Sequence, residues 1–478
     1  MLAAEQSVDR PSEVFDRSEN QYRLLWFVIL DPHSGECSGA GMRFINFARE
    51  LTRSGVSVYF AVNCWPGQDV QSMREYLSRL KDEKVIAGSF ILQYRYSHRQ
   101  GTIGALAFHP GLTNIILKSV RSAAVDSICK FAEANEINVF INSDRMLLFL
   151  GPALMGRLPV ICDWTDSLVL YYLRALNRRI RDRNFKGLIG FIRDFQTNLI
   201  AEIYYGRRST FNLAVSPVDK EWLDWTNFRA SKNRLVMNGA KMPAYSAVAK
   251  TPKRLIFSGV MDFAPNYEGA LWFLNEVFPL VLKKHPDSTF VLAGMNPPRE
   301  LKERANEHIH VTGFVDDMGA EISCSSLYVA PMISGGGFKN KIIEAIVNGT
   351  YVVGTRLSVE FLAPEVRNLL SVVRTAEEMA TAINTFLDDP SQFDERLKQI
   401  QATIRSQFSW RNQSLDFLHL LADAHAVHFA PSPMSERDLK LQKPRRQAIN
   451  DTLRFSRQIS SRSPDVSIAT ESSKTKLV

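Results

Sequence analysis

The stretch from Ser325 to Thr355 constrains the fold more than any other part of the chain. Leu327 to Met332 is an apolar run of strand length, and Gly335, Gly336 and Gly337 end it in a turn. Apolar residues then recur at helical spacing, Ile342, Ile343 and Ile346, until Gly349 stops the helix and Tyr351-Val-Val353 begins another strand. Strand, glycine turn, helix, strand is the repeating unit of a parallel sheet, whose two faces are covered by helices. A chain organised around such a unit is α/β.

A glycine turn that feeds a helix presents unpaired backbone N–H groups at the positive end of the helix dipole. Gly335–Gly337 have no Cβ to hold a phosphate away from the backbone. Lys339 and Lys341 fall in the expected first turn, and at about 100° per residue Lys341 and Glu344 share one flank beside the isoleucine stripe. A carboxylate placed there can accept hydrogen bonds from both hydroxyls of a ribose, so the pattern suits a nucleoside diphosphate. A glycine turn before an ordinary amphipathic helix, with Lys341 and Glu344 solvated, accounts for the same residues, and glycines alone do not separate the two.

At 478 residues the chain exceeds one ordinary core, and two domains are expected. Its 45% hydrophobic and 23% charged content is that of a soluble globular protein. No apolar run reaches the roughly 18 residues of a membrane span, and residues 1–20 are polar and acidic, without a signal-peptide core. Cys37, Cys64, Cys129, Cys162 and Cys324 are scattered, with no Cys-x-x-Cys, which favours a reducing compartment over a disulfide framework or structural zinc. The expected location is cytoplasmic, or peripheral at the inner face of the cytoplasmic membrane. From Ala430 onward ten Lys/Arg face five Asp/Glu, so much of the net charge of +8 belongs to the tail. A basic tail gives no case for a nucleic-acid partner.

In chain order, Leu24–Leu30 reads as a buried strand, and Met42, Phe44, Ile45, Ala48 and Leu51 repeat at helical spacing up to Gly55. Val56–Val62 is a second strand. Gly39-Ala40-Gly41 opens the intervening helix, but the full G-x-G-x-x-G spacing and an acidic residue after the second strand are missing, so no dinucleotide site is expected. A ligand loop and a plain tight turn both remain open there. Residues 65–135 mix helix and strand signals. Ile137–Ile141 and Leu158–Cys162 are strands, and the second runs into Asp163 and Asp166. Polar residues just past a strand's carboxyl end face the crevice of an open α/β sheet. Both carboxylates are therefore candidate catalytic groups, against a capping role for Asp166 or Ser167. No Asp-x-Asp occurs in the chain, so a metal-held sugar diphosphate is not expected.

Leu168–Tyr205 reads as helical and basic, with Arg174, Arg178, Arg179, Arg181, Arg183, Lys186 and Arg193 among aromatic and aliphatic residues. Such a face docks on an anionic membrane or is simply solvated. Asn212–Ser216 is a strand, and Arg234-Leu-Val-Met237 leads into Asn238-Gly239 and a loose linker over 241–252. The second half repeats the layout, with strands at Leu255–Val260, Thr289–Gly294 and Ile309–Val311 and a helix over about Tyr267–Lys284. A last amphipathic helix runs from Phe408-Ser-Trp410 to about Phe429, and the Ser-, Pro- and charge-rich remainder reads as disordered. The expected organisation is a leader at 1–20, an acceptor-binding domain at 21–245, a nucleotide-sugar-binding domain at 246–428 whose last helix packs back on the first domain, and a tail at 429–478.

Ser258-Gly-Val-Met-Asp262 with Pro265-Asn266, Val291-Leu-Ala-Gly294, Thr312-Gly-Phe-Val315 and Gly335 to Ala345 with Gly349 together resemble the retaining GT-B glycosyltransferases that use nucleotide-diphosphate sugars, called group 1 or family 4. Leu213-Ala-Val-Ser216 and Asn238-Gly239 look like that family's marks at the end of its first domain. The resemblance covers about residues 22–428 and is weaker in the first half. It implies two Rossmann-like open α/β domains facing each other across a cleft. Glu344 matches the ribose-binding glutamate, and Gly335, Gly336, Gly337, Phe338, Lys339 and Lys341 match the loop that meets the donor diphosphate and sugar. Gly313, Phe314 and Asn266 are further expected donor contacts, and Gly39, Ala40 and Gly41 match the loop near the acceptor and diphosphate.

Three departures stand out. Gly336 replaces a second glutamate, Val260 and Asn266 stand where many members carry Arg and Lys, and Thr165-Asp166 replaces a histidine. These changes leave a diphosphate short of cations, with Lys339 and Lys341 the candidates to compensate. The resulting expectation is a metal-independent, cofactor-free transferase that moves a sugar from a nucleotide-diphosphate donor to a glycan or lipid-linked acceptor, with Lys341, Asp166 and Asp163 catalytic. A sugar-nucleotide epimerase and a non-catalytic GT-B-like binding module remain as alternatives.

Overall fold

Short apolar runs pair into two wholly parallel sheets in the computed structural model, which describes residues 22–33, 35–64, 68–92, 118–154, 157–181, 183, 187–227, 229–243 and 248–429. The expectations of disorder at 1–20 and beyond 430 lie outside the described residues. The first sheet comprises β1 (Arg23–Phe27), β2 (Ser57–Asn63), β3 (Gly88–Leu92), β4 (Val139–Asn142), β5 (Val160–Asp163), β6 (Phe211–Ala214) and β7 (Asn233–Leu235), ordered β3-β2-β1-β4-β5-β6-β7. The second comprises β8 (Thr251–Ser258), β9 (Thr289–Ala293), β10 (Ile309–Gly313), β11 (Ser325–Ala330), β12 (Tyr351–Thr355) and β13 (Ser371–Val373), ordered β10-β9-β8-β11-β12-β13.

In each sheet the strand order reverses beside its first strand, between β1 and β4 and between β8 and β11. Connections on either side of such a switch point leave to opposite faces, which opens a crevice at the carboxyl ends of the strands. The loops after β1, β4, β8 and β11 therefore border the place where a ligand fits. Burial follows the two-residue period: Leu24, Trp26 and Val28 join the core on one face of the first sheet, Leu25 and Phe27 the core on the other. The strands of the second sheet are covered on both sides, with Leu255, Ile256 and Phe257 all fully buried.

Several expected boundaries shift. The basic stretch is two helices, Leu168–Arg181 and Leu188–Arg208, and the second starts at Gly187, whose φ of 72° suits glycine. The helix expected from Tyr267 runs from Ala264 to Lys284 and contains a π turn at Phe273–Val277, where the Phe278 N–H bonds to Phe273 O. Pro279 follows, and its missing N–H interrupts the regular i→i−4 ladder there. Strand β8 begins at Thr251, inside the expected linker. The last helix, Trp410–Phe429, packs on the first sheet: Phe417 lies 5.2 Å from Trp26 and 5.0 Å from Phe47, ring centre to ring centre. Gly239 permits that return, since a Cβ there would stand 2.5 Å from the Trp410 nitrogen.

A buried polar chain ties this domain together. Trp26 Nε1 donates to Ser143 Oγ at 2.7 Å, and Ser143 Oγ donates to Asp163 Oδ2 at 2.9 Å. Arg43 meets both oxygens of Asp163 at 3.2 and 3.3 Å and extends Nη1 to Asn238 Oδ1 at 2.7 Å. The side chains of Arg43 and Asp163 are 2% and 0% exposed. This corrects the expected catalytic role of Asp163: its oxygens are consumed inside the domain, out of a substrate's reach. Removing one member of such a pair strands a buried charge. Arg43→Met should therefore cost about 3–5 kcal/mol in urea unfolding, whereas Asp166→Asn should cost under about 1 kcal/mol, as for a half-exposed group.

Candidate functional site

The glycine turn lies at the switch point of the second sheet, between β11 and the helix Asn340–Val347. Gly335 and Gly337 have φ of 99° and 73°, values that exclude most side chains. That backbone turns the carbonyls of Gly336 and Gly337 inward, where Lys339 Nζ bonds both at 2.8 and 2.9 Å. Lys339 is 6% exposed and precedes the helix rather than lying in its first turn. The expectation that it adds charge to a diphosphate is thus corrected: it braces the loop from within. Phe338 is corrected likewise, because it packs on Phe361 at 4.5 Å and Phe408 at 5.8 Å instead of facing the crevice.

Lys341 and Glu344 do share a flank of the helix. Lys341 Nζ donates to Asn266 Oδ1 at 2.5 Å and sits 4.7 Å from the centre of the Phe257 ring. Asn266, held by a bond from Nδ2 to Val260 O at 2.8 Å, thereby orients the lysine. Gly259 leaves room for both, since a Cβ there would stand 2.8 Å from Lys341 Nζ. Burial, then the neighbouring Lys339, pull the Lys341 ammonium down to about 7, while Glu344 draws it back up. The Glu344 carboxyl is pushed up by burial and held down by Lys341. At the end of β10, Gly313 has φ of 72° and the next residue, Phe314, stands 61% exposed, an uncovered aromatic face on the same carboxyl edge of the sheet.

The first domain supplies the opposite wall. A Cβ on Gly337 would lie 3.0 Å from the Asp166 Cβ, and one on Gly39 would lie 3.7 Å from Asn340 Nδ2. Asp166 keeps a 40% exposed carboxylate, 3.3 Å from Arg145. Ser167 is the residue that caps the helix, accepting from the Leu170 N–H at 3.2 Å. Before Asp166 stands Thr165 at φ 57°, an outlier for a β-branched residue, set beside the crevice. Gly39 and Ala40 are exposed at the start of the helix Gly39–Arg53, whereas Gly41 is a packing residue whose added Cβ would strike Gly35 O at 2.0 Å.

The least anticipated contacts come from the basic helix Leu168–Arg181. Arg174 makes a two-pronged bond to Glu360 at 2.7 and 2.8 Å and donates to Gly335 O at 3.0 Å. Arg178 pairs with Glu268, whose Oε2 also accepts from Ser334 Oγ at 2.5 Å. Two arginines counted toward a membrane or solvent face thus hold the start of the glycine turn from across the crevice, Arg174 directly and Arg178 through Glu268 and Ser334. Asn238 Nδ2 adds a third link, to Asn340 Oδ1 at 3.0 Å. Sequence reasoning also missed Asp219, buried beside Gly336 and accepting the Ser167 N–H at 2.9 Å. Its signal is the Ser216-x-x-Asp219 capping spacing. Among the described residues no cluster of three or more His, Cys, Asp or Glu could hold a metal ion, and no helix is long and apolar enough to cross a membrane.

Residues 252–389 match the family described as Glycosyl transferases group 1. The chain is 27% identical over 116 residues to a 44.6 kDa protein in the cps region of Klebsiella pneumoniae, covering 22% of this chain and 30% of that one. It is 30% identical over 161 residues to the phosphatidyl-myo-inositol mannosyltransferase of Mycolicibacterium smegmatis, covering 32% and 41%. The chain thus spans less than half the length of either relative. Among solved structures, Anabaena HepE in complex with UDP and glucose superposes with a TM-score of 0.58 at 15% identity, over 84% of this chain and all of that one. At that identity the likeness speaks for the fold alone. It bears out the GT-B expectation, and the family match bears out the group 1 resemblance: this is a chain of GT-B fold whose residues 252–389, around the second sheet, match the group 1 glycosyltransferase family.

Proposed function

We propose that the protein is a glycosyltransferase that takes a sugar from a nucleotide-diphosphate donor in the crevice between the two sheets. The observation that carries this reading is the pairing of Lys341 and Glu344 on one flank of a helix whose preceding glycine turn is held by the opposite domain. Backbone N–H groups, the helix dipole and Lys341 would stabilise the negative charge that develops on the departing diphosphate. Glu344 would hold the ribose, and the exposed Phe314 offers a stacking face for the base. Asp166, the exposed carboxylate facing Gly337, is the candidate acid–base group on the acceptor side, with Gly39 and Ala40 alongside. Transfer with retention and without a metal is the reading that the resemblance favours.

A glycan or lipid-linked acceptor in polysaccharide or glycolipid synthesis fits the mannosyltransferase and cps-region relatives. Contact with an anionic membrane would fall to the outer side of residues 168–205, where Ile180 and Ile189 are 55% and 87% exposed. Val260 and Asn266, standing where the resemblance expects Arg and Lys, suit a non-catalytic binding module, since they remove cations from the crevice.

Thermal denaturation against a panel of nucleoside diphosphates and their sugars, without added metal, tests the reading. One nucleotide should raise the melting temperature, and Glu344→Ala should abolish the rise; no shift with any nucleotide would favour the binding module. Affinity for the sugar nucleotide should be highest below pH 7, where Lys341 is charged, and fall as pH rises past 7. Lys341→Met should flatten that profile. Arg174→Ala should weaken donor binding about tenfold, the worth of one charged hydrogen bond, as read by titration calorimetry.

A further inference from the structure

Most arginines near the crevice are spoken for. Arg43, Arg145, Arg174 and Arg178 each face a carboxylate. A different situation holds at the outer carboxyl edge of the second sheet. Thr355 and Val373 are register partners on β12 and β13, so Arg356 and Arg374, the next residues of each strand's chain, emerge side by side. Arg367 ends the single-turn helix Pro364–Arg367 and joins them. With Asn368, Leu370 and Val372 these three arginines line one concavity that contains no carboxylate.

Among the described residues none of the three guanidiniums has an ion-pair partner. Glu360, one turn beyond Arg356, is withdrawn by Arg174, and Glu378 accepts the Arg374 backbone N–H at 2.7 Å rather than its guanidinium. Three like charges around one hollow repel each other, and an anion with several acceptor oxygens relieves that repulsion. Half-exposed Val372 and buried Leu370 give the hollow an apolar floor. Strands lie ~4.8 Å apart, which sets β12 and β13 roughly one and two strand spacings from β11, whose loop is the candidate donor site.

We propose that Arg356, Arg367 and Arg374 form an anion subsite, separate from the donor site, that receives the phosphate of a phosphorylated acceptor. The acceptor assignment rests on the transferase reading above; the phosphate site itself does not. Fork-shaped guanidinium donors match a phosphate's oxygens in pairs. The phosphate is either soluble or part of a lipid headgroup.

The test uses the full chain and reads binding in the absence of any donor or turnover. Titration calorimetry with inorganic phosphate should show binding that Arg356→Gln/Arg367→Gln/Arg374→Gln weakens at least about tenfold, while Arg299→Gln, at a surface arginine paired with Glu303, leaves it unchanged. Flotation with phosphatidylcholine vesicles, with and without phosphatidylglycerol, reads the lipid source. Anionic vesicles bound by the wild type and released by the triple variant support a headgroup phosphate; inorganic phosphate bound without vesicle binding supports a soluble one. Neither probe bound by the wild type, or equal affinity in the triple variant, would overturn the subsite. A nucleotide-induced melting shift retained by the triple variant shows that it folds, and the single Arg374→Glu, at an exposed position, is the second variant should the triple fail. If no nucleotide binds but phosphate does, the transferase reading fails while the subsite stands.

Discussion

The ion pair between Arg43 and Asp163 is the constraint on which the rest of the arrangement depends. Two charges taken out of water are tolerable only when each is met on every side, and here the requirement organises a path through the protein. Trp26 and Ser143 complete one end, and Asn238 completes the other before bonding Asn340, the first residue of the helix beneath the glycine turn. The interior of the first sheet is thus connected, side chain by side chain, to the carboxyl edge of the second. The same pair fixes the carboxyl end of β5, from which Thr165 and Asp166 turn into the crevice.

The architecture was legible because parallel sheets write themselves locally. Strands buried on both faces are continuous apolar runs, and the glycine and amphipathic patterns between them mark the crossovers. What escaped was set by longer-range terms. The break in the basic helical stretch turns on Gly187, whose left-handed φ no periodicity reports. The π turn at Phe273–Val277 adds a residue to a helix without disturbing its apolar spacing, so only the bond to Phe278 reveals it.

The candidate site divides along the same line. Lys341 and Glu344 share a flank because helical geometry decides it, and one helix turn is enough to see that. Lys339, Phe338 and Asp163 were read by position alone, but the direction each side chain takes is decided elsewhere: by the positive φ of Gly335 and Gly337, by the aromatic pocket of Phe361 and Phe408, and by Arg43 arriving from 120 residues away in sequence. A charge pattern shows how many cations a helix presents and leaves open which of them meet an anion from another domain.

Arg174 bonds at once to Glu360 and to Gly335 O, so the shape of the glycine turn is partly written in the other half of the chain. The two halves are therefore not interchangeable modules. A chimera that grafts this second domain onto a foreign first domain would inherit every residue of the turn yet lack the hand that steadies it. To transplant the turn intact, the helix Leu168–Arg181 would have to travel with it.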